Sequence, residues 1–216
     1  MRKTVLHVSL IASIFVGLNV QARDYRTQKT EFFMIPMYID STTLEFDHNA
    51  KVDLDSGFGL GFGFGYNFTK NFEGQIIFSG SSTDYTAIAV DDKNKELKIK
   101  EKMYTSSMFL QGNYNILDDE FTPFVGGYIG ITYVDSGVTT GDYEHVCYWD
   151  PWWGYVCGPM NETYTTTEFS YGMEIGLRYD LRDGYGSLSY VKHFINLGAN
   201  NGDDFDVVKL LIGMKF

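Results

Sequence analysis

Val207-Val208-Lys209-Leu210-Leu211-Ile212-Gly213-Met214-Lys215-Phe216 alternates with a period of two, the period at which neighbouring side chains of a β-strand point to opposite faces. Val208, Leu210, Ile212, Met214 and Phe216 share one face, and Val207, Lys209, Leu211, Gly213 and Lys215 share the other. One side is uniformly apolar; the other mixes lysine with small and aliphatic residues. A soluble sheet can carry the same alternation, so the fold depends on what the rest of the chain does.

The rest repeats it. Eight strand-like stretches run from Phe32 to Asp40, Asp55 to Phe68, Phe72 to Ser82, Ile99 to Ile116, Phe121 to Asp135, Tyr164 to Leu181, Tyr185 to Ile195 and Phe205 to Phe216. Thr69-Lys70-Asn71, Leu117-Asp118-Asp119-Glu120 and Arg182-Asp183-Gly184 read as tight turns, and the remaining connections are long and polar. Short turns at one end and long loops at the other is the organisation of a transmembrane barrel. In the sixth stretch Phe169, Tyr171, Met173, Ile175, Leu177 and Tyr179 would meet lipid, with Glu168, Ser170, Gly172, Glu174, Gly176, Arg178 and Asp180 inside. Backbone groups in lipid must all be paired, so such strands can span only as a closed barrel.

A soluble barrel or sandwich would bury the apolar face and expose the other. Glycine argues against it. In the second stretch Phe58, Leu60, Phe62, Phe64, Tyr66 and Phe68 alternate with Gly57, Gly59, Gly61, Gly63, Gly65 and Asn67. A glycine face makes no solvated polar surface, but it leaves room in a narrow lumen for larger residues such as Gln75, Phe109, Gln111 and Tyr128. Tyr66, Phe68, Phe72, Tyr114, Phe121, Phe124, Tyr179 and Phe216 cluster near the short turns, as one interfacial aromatic girdle would.

Met1-Arg2-Lys3, the apolar run Val5 to Val20 and the small residues ending at Ala22 read as a cleaved signal peptide over residues 1–22. The barrel domain is then 23–216, too short in apolar runs for a membrane helix. Without Arg2 and Lys3, 15 of the 17 basic residues stand against 28 acidic ones, a formal charge of −13. Nucleic acid is excluded as a partner by that balance, since phosphate binding needs a basic surface. Cys147 and Cys157 are the only cysteines. In an exported protein a disulfide is the favoured reading, closing a loop for about 3 kcal/mol, with two free thiols or half a metal site as the alternatives.

Phe121-Thr-Pro-Phe-Val-Gly-Gly-Tyr-Ile-Gly130, Gly176-Leu-Arg-Tyr-Asp-Leu181 and Leu210-Leu-Ile-Gly-Met-Lys-Phe216 resemble the small eight-stranded outer-membrane β-barrels of the OmpA-like, opacity-protein and OmpX type. The resemblance implies an all-β, up-and-down antiparallel barrel in the outer membrane of a Gram-negative bacterium, with short periplasmic turns and long extracellular loops. It also implies contact with lipid and lipopolysaccharide, and a terminal Phe216 that forms part of the signal read by the barrel-assembly machinery. Activity is barely constrained, because such barrels serve as adhesins, anchors, resistance factors, narrow channels and occasionally lipid-modifying enzymes.

Three regions could carry function. Glu73, Glu168, Glu174, Arg178 and Lys209 all fall on the inward parity. In a barrel this small they are expected to pair into a plug, with a narrow solute channel as the alternative. Inside the Cys147–Cys157 loop, Trp149, Trp152, Trp153 and Tyr155 form a candidate partner-binding tip for an extracellular protein or glycan, unless they fold over the barrel mouth. His193-Phe194-Ile195-Asn196 is faintly similar to the His-x-Ser-Asn of lipid A deacylases, but Ile195 stands where the nucleophilic serine is needed. The sequence therefore reads as a monomeric, non-enzymatic surface protein without a cofactor or metal, acting through its loops in surface interaction or envelope integrity.

Overall fold

A computed structural model describes residues 26–46, 51–90, 96–150, 154–197 and 204–216; the signal peptide expected over 1–22 lies outside them. Ten strands follow in order: β1 Thr30–Ile39, β2 Thr42–Glu45, β3 Lys51–Leu54, β4 Gly57–Asn67, β5 Phe72–Val90, β6 Glu96–Asn115, β7 Phe121–Asp150, β8 Gly154–Asp180, β9 Gly184–Ile195 and β10 Asp204–Lys215. Eight of them, all but β2 and β3, pair antiparallel around a ring. The seam is β1 against β10, with Phe32 opposite Met214 and Tyr38 opposite Val208. β2 and β3 form a small hairpin that prolongs β1 and β4 outward and pairs with the outer part of β5, Leu54 opposite Tyr85.

The alternation in β10 becomes an inside and an outside. Lys209 and Leu211 are 9% and 8% exposed, whereas Leu210 and Ile212 are 46% and 61% exposed. The same holds along β4, whose inward residues are five glycines and the buried Asn67 and whose outward ones are Phe58, Leu60, Phe62, Phe64 and Tyr66. Outward apolar residues on every barrel strand make a continuous belt for lipid.

Inward aromatics explain where the glycines stand. Phe33, wholly buried, lies across from Gly63 on β4 and Gly213 on β10. Tyr185 faces Gly213 from the other side, Tyr128 faces Gly172, Phe124 faces Gly176 and Phe109 faces Gly130. Each ring fills space its cross-strand neighbour leaves vacant, so a narrow eight-stranded lumen accommodates bulky side chains without widening.

Two expectations from the sequence are corrected here. Phe124 does not belong to the aromatic girdle: it is 4% exposed and points inward, while Tyr66, Phe68, Phe72, Tyr114, Phe121, Tyr179 and Phe216 remain outside. The Pro123 register places its neighbours Thr122 and Phe124 on the luminal side. The connections after Ser82 and Asp135 are also largely strand. β5 and β6 stay paired to Val90 and Glu96, and β7 and β8 to Asp150 and Gly154. Above the membrane both faces of a ribbon meet water, so the apolar and polar contrast that marks a spanning strand fades while the backbone ladder continues.

Because Gly213 sits between two rings, an added Cβ would press on Tyr185 and come within 3.0 Å of Phe33 Cβ. Gly213→Val is expected to destabilise the barrel by about 1–3 kcal/mol. Gly186→Ala, whose added Cβ finds its nearest neighbour at 3.5 Å, should change stability by less than about 0.5 kcal/mol. Urea midpoints of the folded band on unheated gels would compare the two.

Candidate functional site

The inner half of the lumen is built on Arg178, which β8 points inward. Its Nη1 donates to Glu73 Oε2 at 2.7 Å, its Nη2 to Glu31 Oε1 at 2.5 Å, and its Nε and Nη2 to the Asp180 carboxylate at 3.1 Å. The guanidinium carbon lies 3.9 Å from the centre of the Tyr185 ring, which adds a cation–π contact. Asp180 also receives Lys215 Nζ and Arg26 Nε, each at 2.8 Å. Carboxylates from β1, β5 and β8 thus converge on three cations.

Arg26 closes the periplasmic end. Besides Asp180, it donates to the backbone carbonyls of Lys70 and Leu117 at 2.9 and 3.1 Å, and to that of Asp119. Those carbonyls belong to two different periplasmic turns. One side chain therefore ties the first two turns to β8.

One layer further out, Glu174 takes Ser189 Oγ at 2.5 Å, Gln111 Nε2 at 3.0 Å and Lys209 Nζ at 3.1 Å. Across the two layers, Arg26, Arg178, Lys209 and Lys215 stand against Glu31, Glu73, Glu174 and Asp180, all buried. Formal charge is balanced four against four. Buried ions remain tolerable only when paired and hydrogen-bonded in this way. A gap of about 10 Å³ lies beside Gln75, Gln111 and Asn115, about the volume of one water.

Of the five inward charges named from the sequence, Glu73, Glu174, Arg178 and Lys209 are brought into this assembly. Glu168 is not. It faces the lumen nearer the mouth, half-buried, and accepts from Thr166 Oγ1 at 2.7 Å. Sequence reasoning left out Glu31, Arg26, Asp180 and Lys215 as members. Asp180 and Lys215 carried the inward parity that could have found them, whereas Arg26 precedes the first strand and Glu31 sits at its start, where no alternation flags it.

Above Glu174 the lumen changes character. Tyr128 OH and His193 Nδ1 are 2.8 Å apart, Lys209 Nζ lies 4.9 Å from the Tyr128 ring, and the Phe109 ring packs tilted against Tyr128 at 4.8 Å. His193 thus meets a phenol, not a serine, and Ser189 Oγ is turned toward Glu174. In the β7–β8 ribbon, Cys147 lies directly opposite Cys157 and Trp149 opposite Tyr155 in backbone register. Trp152 and Trp153 lie outside the described residues. Among the described residues no group of three or more His, Cys, Asp and Glu side chains could hold a metal ion.

Removing Arg178 would leave Glu31 and Glu73 without their shared cation in the lumen, whereas Asp180 keeps Arg26 and Lys215. Arg178→Met is expected to cost about 3–5 kcal/mol, and Glu31→Gln with Glu73→Gln added to it should recover part of the loss, since neutral amides leave less uncompensated charge. Equilibrium unfolding in denaturant, followed by circular dichroism in detergent, would measure the series.

A family model described as outer membrane protein beta-barrel domain matches residues 9–216. No curated protein matches the sequence. Among solved structures, the chain is similar to Ail, the attachment invasion locus protein of Yersinia pestis, in a complex with the heparin analogue sucrose octasulfate, at 13% identity and a TM-score of 0.48, covering 88% of this chain and all of that one. It is also similar to the outer membrane protein OprG of Pseudomonas aeruginosa, at 15% identity and a TM-score of 0.47 over 89% of this chain and 97% of that one. Neisserial surface protein A is a third, at 12% identity and 0.45, covering 86% and 95%. With a closed ring of eight strands, a lipid-facing apolar belt and a family model spanning nearly its whole length, the chain belongs to the outer membrane protein beta-barrel domain family and resides in the bacterial outer membrane.

Proposed function

We infer that the protein acts at the cell surface through its external hairpins, in surface interaction or envelope integrity, as a non-enzymatic monomer. The observation that carries this reading is the β7–β8 ribbon. Beyond Asp135 and Thr165 it continues paired, through two register shifts, to Asp150 and Gly154, a reach of roughly 35 Å along the shorter β8 arm at about 3.3 Å per residue. A paired ribbon holds its tip in a defined direction, which lowers the ordering cost of binding relative to a free loop.

The aromatic tip with Trp149, Trp152, Trp153 and Tyr155 is its contact element, directed at an extracellular protein or a glycan. Cys147 and Cys157 form the disulfide behind it; directly opposed residues of an antiparallel pair are within bridging distance. Lipopolysaccharide surrounds the outer rim. Phe216, outward and continuing the ladder to Thr30, serves as part of the assembly signal.

The inner plug supports a barrel that does not conduct. Eight paired charges and packed aromatics fill the space an ion would cross. The non-enzymatic reading is supported by His193, whose Nδ1 partner is Tyr128 OH. With a phenol in place of a serine hydroxyl at that imidazole, a serine-type acyl transfer lacks its nucleophile.

Planar-bilayer recordings of the purified protein should show no stable unitary conductance; a conductance altered by Glu174→Gln would overturn the surface-binding reading in favour of a channel. Replacing residues 139–163 with a two-residue Asn-Gly turn should leave the folded band on unheated gels intact while abolishing adhesion to cell surfaces. Equal adhesion by the shortened protein would remove the ribbon from the function. Non-reducing mass spectrometry should find Cys147 and Cys157 joined, and two alkylatable thiols would refute the bridge.

A further inference from the structure

Inward side chains change from mainly charged and polar to mainly apolar along several strands. Going outward, inward residues on β5 pass from Glu73 and Gln75 to Ile77, on β9 from Ser187 and Ser189 to Val191 and Ile195, and on β10 from Lys215 and Lys209 to Val207 and Phe205. On β1 they pass from Glu31 to Phe33 and Ile35, and on β6 from Asn113 and Gln111 to Phe109. Further out, hydroxyls return at Ser79, Ser81 and Thr83 on β5, Ser107 and Thr105 on β6 and Thr132 on β7, so the apolar residues form a band above the charged plug. Contact with lipid cannot explain this band, since these side chains face the lumen, and barrel interiors are ordinarily polar.

This part of the lumen is not packed shut. It encloses about 80 Å³ of space that opens toward the mouth, walled by Ile35, Ile77, Phe109, Val191, Ile195 and Val207. An enclosed apolar cavity of about 150 Å³ takes up benzene; a smaller one that is open at its mouth suits a ligand of similar breadth whose far end remains outside. The floor is closed by the Lys209–Glu174 pair.

Hydroxyl side chains also line this space, and those of Ser81 with Thr105 and Ser107 with Thr132 are hydrogen-bonded to each other. His193 lines the pocket, its Nδ1 is taken by Tyr128, and its Nε2 has no hydrogen-bond partner among the described residues. The imidazole ring stacks on Tyr128 at 5.8 Å, with Phe109 at 5.7 Å and Phe205 at 6.3 Å. Such a cluster favours an aromatic guest through stacked and edge contacts. A hydroxyl is the group that suits Nε2 under either tautomer, because it can donate to a bare nitrogen or accept from a protonated one.

We propose that the outer lumen is a binding site for a small single-ring phenol, with the ring against Ile77, Phe109 and Val191 and the hydroxyl at His193 Nε2. The site is separate from the external hairpins and stands or falls independently of their role. It takes the ligand from the cell exterior and holds it above the plug, so binding requires no passage through the barrel.

The test is a titration of the full barrel in lipid nanodiscs with p-cresol, followed by methyl NMR of isoleucine and valine, with toluene as the partner lacking the hydroxyl. Saturable shifts should appear at Ile35, Ile77, Val191 and Ile195, with toluene weaker by about 3- to 10-fold, the range one hydrogen bond supplies. His193→Phe should bring the two ligands to equal affinity, and Ile77→Trp should abolish saturable binding of both. Should Ile77→Trp fail to fold, Thr105→Phe at the pocket wall carries the same expectation. Shifts that never saturate and spread to the lipid-facing Ile131 and Ile212 would overturn the site, as would saturable binding that survives the filling variant. Equal affinity for toluene and p-cresol in the unaltered protein would overturn the role of His193.

Discussion

Hydrocarbon offers no partner to a backbone N–H or carbonyl, and every other feature of this molecule follows from that constraint. Strands that cross it must close, so β1 returns to β10 and no edge remains among the eight. Closing at eight strands leaves a lumen only wide enough for side chains. The interior must then be filled by whatever the strands point inward, and the pairing of Phe33 with Gly63 and Gly213, or of Tyr128 with Gly172, is how this chain fills it.

The charged half of the filling has a second consequence. Arg178, Glu31, Glu73 and Asp180 come from β8, β1 and β5, and Arg26 reaches two periplasmic turns. These contacts are meaningful only in the closed ring, because an open sheet would leave the same ions apart and hydrated. The desolvation penalty of a buried ion is several kcal/mol when a partner is missing, so the plug discriminates the correct register from slipped ones even if its net contribution to stability is modest. The outer half, mainly uncharged and partly open, has no such demand on it, and it is there that space and an unpartnered nitrogen remain.

Much of the barrel was legible because lipid imposes a strong contrast. Val208, Leu210, Ile212 and Met214 must be apolar, and their neighbours need not be, so a period of two survives even at the sequence level. The strand β5 beyond Ser82 and the paired arms of β7 and β8 beyond Asp135 and Thr165 were not legible as strand, since water on both faces removes the contrast. Inward parity brought Glu73, Glu174, Arg178 and Lys209 into view together. Parity alone gives no height along the barrel, which is why Glu168 was grouped with them although it sits near the mouth; Phe124 shares the inward parity of Tyr128, and only its nearness to the turn put it with the outer aromatics.

The amino-acid order by itself determined which side chains meet lipid, how many strands cross and where the tight turns fall, because each of these is a local property of alternation and turn chemistry. Only the closed tertiary structure decided which inward residues meet. Arg26 lies 154 positions from Asp180, and Arg178 lies 147 from Glu31; their contact depends on the ring's closure and stagger. The gathering of charged side chains into a plug, with Ile77, Phe109 and Val191 around a pocket beyond it, arises for the same reason, since which inward residues become neighbours is set by register between strands.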